Sequence, residues 1–243
     1  MSPAALAAVG VAVAAGAAAQ PVAGLGFSLV SVPFLVALLG ASDGVRMCVL
    51  LSIGLNVVLL ARDPGAVRWR PVAALLSAAA VTAVLVGLVA SDLPELPTRL
   101  AAGLSICVGV VLLISGRRAP RLVGLGGALT AGAVAGAMNA LASVAGPPVA
   151  LWAGNRDWPA RTTRAIMQAF FAPLNVVTIV ALGLPTVGAA VLIVAVTGLA
   201  AGTGLGIAVA GRLAEPTARR ATLTVAGLGG AALVVSAVVG LVT

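Results

Sequence analysis

The stretch VAGLGFSLVSVP, from Val22 to Pro33, comes back in altered form as VAGAMNALASVAGPP, from Val134 to Pro148. Val-Ala-Gly, a later Ser-Val and a following proline are common to both. Two further echoes follow in the same order. Leu55-Asn56-Val57-Val58 matches Leu174-Asn175-Val176-Val177, and ELPTR (Glu95 to Arg99) is similar to EPTAR (Glu215 to Arg219). Echoes in one order, separated by about half the chain, point to an internal duplication, with residues 1–116 as a first repeat and 117–243 as a second. In membrane carriers such a duplication is commonly inverted, with substrate bound where the repeats meet.

Composition places the chain in a bilayer. Hydrophobic residues make up 61% of the 243 positions and charged residues only 8%, and mean hydropathy is +1.20. Several apolar runs suffice to cross ~30 Å of hydrocarbon, which takes about 20 helical residues. A backbone in lipid must satisfy its own hydrogen bonds, so these runs are predicted to be helices and the fold all-α. The net charge of +8 does not signal nucleic acid, because the basic residues, all arginine, sit in short loops and build no basic face. Cys48 and Cys107 show neither pairing nor ligand spacing and read as packing residues. Residues 4–19 are apolar but follow no Lys or Arg, so they read as mature protein rather than a signal peptide.

Ten apolar segments are predicted, five per half: 4–20, 22–39, 45–61, 71–90 and 98–115, then 122–139, 142–153, 160–182, 186–210 and 217–241. Pro71, Pro97 and Pro216 stand at or near helix starts, where a missing N–H costs little. Gly40 and Gly116 follow helix ends, where a left-handed cap suits glycine. The loops after odd-numbered segments carry Arg62, Arg68 and Arg70, then Arg117, Arg118 and Arg121, then Arg156, Arg161 and Arg164, and finally Arg212, Arg219 and Arg220. The remaining loops are mixed, acidic or empty: Asp43 with Arg46, Asp92 with Glu95 and Arg99, and no charge at 139–141 or 183–185. Positively charged loops stay in the cytoplasm, which leaves both chain ends outside.

Corresponding loops of the two halves carry opposite bias. The basic 62–70 corresponds to the uncharged 183–185, and the acidic 91–97 to the basic 211–220. An odd number of segments per half inverts the second copy, and the charges follow that inversion. The first two segments of each half abut, at Gln20-Pro21 and near Asn139, and segment 142–153 is short. Short, Gly/Pro-interrupted segments at matching positions predict broken or re-entrant helices around a central site, leaving about eight full spans.

Gly24, Gly26 and Ser28 open the second segment, and Ser143, Gly146 and Pro147 open the seventh. Glycine permits close backbone approach, proline can open a helix, and a helix N-terminus presents unpaired N–H groups and a partial positive charge. Two such ends meeting at mid-membrane would hold an anion with no buried arginine. The alternative is that these small residues only let helices pack closely, as Gly132-x-x-x-Gly136 and Gly202-x-x-x-Gly206 are expected to do. Asn56, Asn139, Gln168 and Asn175 are strongly polar side chains deep in apolar segments, each costly unless partnered. They either line a cavity or bond between helices. Ser31 joins them as a weaker candidate, since serine readily bonds its own helix.

No Asp, Glu, His or Lys lies well inside a segment. Proton-coupled carriers usually keep an ionisable group in the membrane, and a metal site would need carboxylate, His or Cys ligands. A cation or metal carrier is therefore disfavoured, no cofactor or metal is expected, and an intramembrane enzyme would lack its acid–base groups.

The Gly-rich first motif with its Val32-Pro33, the Gly146-Pro147-Pro148 motif, and the run from Arg164-Ala165 through Phe170-Phe171 to Asn175 resemble the TauE/SafE sulfite-exporter family over nearly the whole chain. Phe27 and Ser28 stand where the family commonly has further glycines. The resemblance implies export of a small sulfur-containing anion, sulfite or a short organosulfonate such as sulfoacetate, across a bacterial inner membrane. The expected partners are that small anionic substrate and the lipid bilayer, with no nucleic acid and with a homodimer as an allowed assembly. Two other readings compete: a carrier of neutral small solutes that uses the asparagines as hydrogen-bonding groups, and a non-transporting assembly subunit.

Overall fold

A computed structural model describes residues 1–115, 122–210, 212 and 215–242, with no statement made of the Glu215 and Val242 side chains. Gly116, Arg117, Arg118, Arg121 and the 116/117 boundary lie outside the described residues. Among the described residues every regular element of the chain is helical, and there are no strands. Its helices are α1 (Pro3–Ala23), α2 (Phe27–Leu39), α3 (Ala41–Leu60), α4 (Trp69–Ser91), α5 (Glu95–Ile114), α6 (Gly124–Ala142), α7 (Gly146–Ala153), α8 (Ala160–Leu182), α9 (Ala189–Val209) and α10 (Glu215–Val242). Eight are long and apolar enough to cross a membrane; α2, with 13 residues, and α7, with 8, are too short. This is a polytopic all-α membrane protein. Leu85 and Leu88 on α4, Ile193 on α9 and Leu228 and Val235 on α10 are exposed, as lipid-facing side chains must be.

The breaks differ from the sequence reading by a few residues. Helix α1 runs through Pro21 and stops only at Gly24, whose left-handed conformation (φ 72) turns its N–H back onto the Gln20 carbonyl at 2.9 Å. Glycine, not proline, ends the helix. Helix α6 likewise runs past Asn139 to Ala142 and is capped by Ser143, which takes the left-handed conformation (φ 55) without being glycine. Helix α3 starts at Ala41 rather than 45, so Asp43 and Arg46 belong to its first turns.

The Val-Ala-Gly echo also fails in register. Val134-Ala135-Gly136 lies inside α6, with Gly136 packed on the Ala79 backbone of α4, whereas Val22-Ala23-Gly24 ends α1. One spacing relates the other landmarks. The distance in sequence from Ala41 to Ala160, first residues of α3 and α8, equals that from Ala23 to Ala142, which end α1 and α6. It also carries Phe27 onto Gly146, which open α2 and α7, and Asn56 onto Asn175. In this register Gln20 corresponds to Asn139 and Gly24 to Ser143.

Packing joins helices from opposite halves of the chain. Helix α6 lays Gly132 and Gly136 against the Leu75 and Ala79 backbone of α4, and Thr82 donates to the Ala133 carbonyl across that contact at 2.8 Å. Helix α9 lays Gly198, Gly202 and Gly206 against Gly10, Ala14 and Ala18 of α1. Small residues let these backbones touch, which is how helices associate where lipid removes the hydrophobic driving force. Helix α10 packs on α5, and α3 lies beside α8 in the centre.

The two ends of the bundle differ in chemistry. At one, Arg161 pairs with Asp63, Asn155 donates to the Leu122 carbonyl, and the Arg156 guanidinium lies 4.3 Å from the Trp152 ring. At the other, Glu95 is held by Arg99 at 2.8 Å and accepts the Ala41 N–H, capping α3 from a distance, while Asp43 accepts from the Thr186 amide and hydroxyl. The first is the arginine-rich face.

Candidate substrate site

The starts of α2 and α7 meet inside the protein. Ser28 Oγ and Ser143 Oγ are 3.2 Å apart, and the buried Cys48 thiol of α3 lies within reach of both. A Cβ on Gly146 would meet the Leu25 side chain, so the break between α1 and α2 rests directly on the opening of α7. Helix α2 then runs toward the acidic end and α7 toward the arginine-rich face, where Asn155 beyond it reaches Leu122.

A cavity of about 40 Å³ lies at this junction. It has room for roughly three water-sized groups. Of the residues singled out from sequence, Gly26, Ser28, Asn56, Asn139, Ser143, Gly146, Pro147 and Asn175 line it. No charged side chain does, among the described residues. The asparagines are fixed by their neighbours. Asn139 donates to Asn175 Oδ1 and to Thr178 Oγ1, both at 2.9 Å, and Thr178 donates in turn to the Leu174 carbonyl. Asn56 and Asn175 sit at the same place in α3 and α8, with Val57 and Val176 beside them turned outward.

The helix starts supply main-chain donors. The first amides of a helix have no intrahelical acceptor. At α2 the Phe27 N–H is met by Gln20 Oε1 at 3.0 Å, but the amides of Ser28 and Leu29 have no acceptor among the described residues. At α7, Pro147 and Pro148 remove two N–H groups, which leaves Ala145 and Gly146 as unmet amides at the break. All four residues line the cavity.

Three of the expected residues lie elsewhere. Ser31 is fully buried and donates to the Ala12 carbonyl at 3.1 Å, tying α2 to α1. Gly24 faces the Arg164 side chain, and Gln168 lines a separate hollow near the arginine-rich face. Conversely, Gln20, Ser52 and Phe171 line the cavity without having been singled out. The signal was present: Cys48, Ser52 and Asn56 repeat every four residues, one helical face. In the sequence Gln20 reads as a segment end before Pro21, which hides it.

The described structure is thus a multi-pass membrane protein with two interrupted helices meeting at an internal polar pocket. Residues 8–238 match the family model described as sulfite exporter TauE/SafE, and the chain belongs to that family. The family is one of membrane transporters of the sulfite-exporter type. No curated protein and no solved structure matches the chain.

Proposed function

We propose that this protein exports a small sulfur-containing anion, sulfite or a short organosulfonate such as sulfoacetate, and binds it in the cavity between α2 and α7. One observation carries the reading. Ser28, Leu29, Ala145 and Gly146 line an uncharged pocket, and their main-chain amides have no acceptor among the described residues. Unmet donors at opposed helix starts favour an anion over a neutral solute, and an internal polar pocket is not needed by a packing subunit. Ser28, Ser143, Asn56 and Asn175 complete the shell. The size of the pocket suits a compact oxyanion.

The two halves act as inverted repeats in this reading. The constant spacing of landmarks supports it, as does the exchange of partners, α1 with α9 and α4 with α6. The arginine-rich face is cytoplasmic, in a bacterial inner membrane. The test is uptake by proteoliposomes of sulfite, sulfoacetate, taurine, sulfate and chloride. Saturable sulfite or sulfoacetate transport, lost when Gly146→Leu fills the junction of a folded protein, is expected. Equal transport of uncharged solutes, or full transport by folded Gly146→Leu, overturns it.

A further inference from the structure

Two larger hollows open between the central cavity and the arginine-rich face. The first, about 210 Å³, is bounded by Arg62, Asp63, Arg164 and Gln168 and shares Gln20 with the central cavity. The second, about 280 Å³, has Arg156 and Leu25 on its wall, and Arg164 lines both. Asp63 is engaged by Arg161, whereas the guanidinium groups of Arg62 and Arg164 have neither ion-pair nor hydrogen-bond partners among the described residues. Gln168 is 4% exposed, and its Oε1 has no partner although the side chain borders the first hollow. A buried polar atom without a partner calls for a ligand or a water. A side-chain amide can turn over to present its NH₂ group instead.

Helix α8 links this region to the centre. Arg164, Gln168 and Asn175 follow at i, i+4 and i+11, which keeps them on one face over about 16 Å of helix. The corresponding path along α3 leads from Val45 and Val49, both buried and apolar, to Asn56. The hollow beside Val45, bounded also by Arg46, Leu141 and Leu182, is only about 10 Å³. A wider hollow at that end, about 410 Å³ and lined by Asp43 and Thr186, shares no residue with the central cavity. Among the described residues, the polar path to the centre starts at the arginine-rich face.

We infer that Arg164, Arg62 and Gln168 form a second anion-binding site, a loading vestibule from which a small oxyanion passes along α8 and past Gln20 into the central cavity. The inference rests on the carrier reading above. Two unpaired guanidiniums attract an oxyanion and can bind it in a forked geometry, and the Gln168 amide takes it as it leaves them. Gln20, whose Oε1 now holds the Phe27 amide, stands between vestibule and cavity and frees that amide when it swings away.

The experiment measures sulfite transport in vesicles of both orientations, with the orientation established by cysteine labelling. Arg164→Gln and Gln168→Leu are each expected to raise KM about tenfold when sulfite is offered at the arginine-rich face, the scale of one charged hydrogen bond. At the opposite face KM stays within about twofold, and Arg164→Lys, which keeps the charge but loses the fork, gives a smaller rise than Arg164→Gln at the arginine-rich face. Unchanged KM at both faces, or an equal rise at both, overturns the vestibule. Gln168→Leu leaves the Arg164 charge on α8 intact and serves if Arg164→Gln does not insert. Asn56→Ala and Asn175→Ala separate the two proposals. If they bind and transport normally while Arg164→Gln still shifts KM at one face, the central site fails and the vestibule stands.

Discussion

At the scale of single residues, the central cavity is built from neutral groups that hold one another. Asn175 accepts from Asn139 and lines the cavity with it. Under the proposed binding mode, removing it withdraws one polar group from the anion; it also leaves the Asn139 amide with Thr178 alone. Asn175→Ala is expected to weaken sulfite binding by ~1–3 kcal/mol, the scale of a hydrogen bond to a charged group. Ligand-induced thermal stabilisation of purified protein measures it. Binding at wild-type strength would assign Asn175 to helix packing. The duplicated Asn56 and Asn175, and the lone Asn139, were legible in sequence because an amide in an apolar helix must find a partner. Gln20 was not, because a polar residue before a proline is equally well explained as a loop. Ser31 and Gln168 show the converse: polarity within a helix does not reveal which neighbour it faces.

At the scale of elements, ten helices were legible because hydrophobic length and loop charge mark a membrane segment strongly. The breaks were displaced because capping geometry decides where a helix stops: Gly24 and Ser143 each turn left-handed four residues past the predicted ends. The Val-Ala-Gly echo misled because Gly136 serves contact with α4 rather than a turn. The small-residue stripes yield a prediction of stability. A Cβ on Gly202 would lie 2.7 Å from the Ala14 Cα, and one on Gly136 would lie 2.8 Å from the Ala79 carbonyl carbon. Gly202→Leu and Gly136→Leu must push α9 off α1 and α6 off α4, and are expected to lower the unfolding temperature in detergent by several degrees or prevent folding. Gly188→Ala, with open space around it, is expected to leave that temperature unchanged.

At the scale of the whole molecule, the excess of arginine is gathered at one end. Arg62, Arg68 and Arg156 lie at one end, and Asp43 and Glu95 at the other. Cysteines introduced singly at Arg68 and Arg156 are expected to resist a membrane-impermeant reagent in intact cells, and one at Asp92 to react. Labelling in the reverse pattern would turn the protein over in the membrane and make the vestibule an external one. Loop charge made this organisation readable from sequence. Which helices pair across the halves was not, since charge bias reports which side a loop occupies but not how helices neighbour one another.

Because no charged side chain lines the central cavity among the described residues, no protein charge is positioned there to travel with the anion and cancel its own. Under the proposed function, each turnover is then expected to carry a current. An interior held 100 mV negative drives outward movement by about 2.3 kcal/mol per charge, equal to a concentration ratio of roughly fifty. Proteoliposomes clamped by a potassium gradient and valinomycin are expected to release sulfite faster as the interior becomes more negative. Release indifferent to voltage would require a compensating ion that binds with the anion.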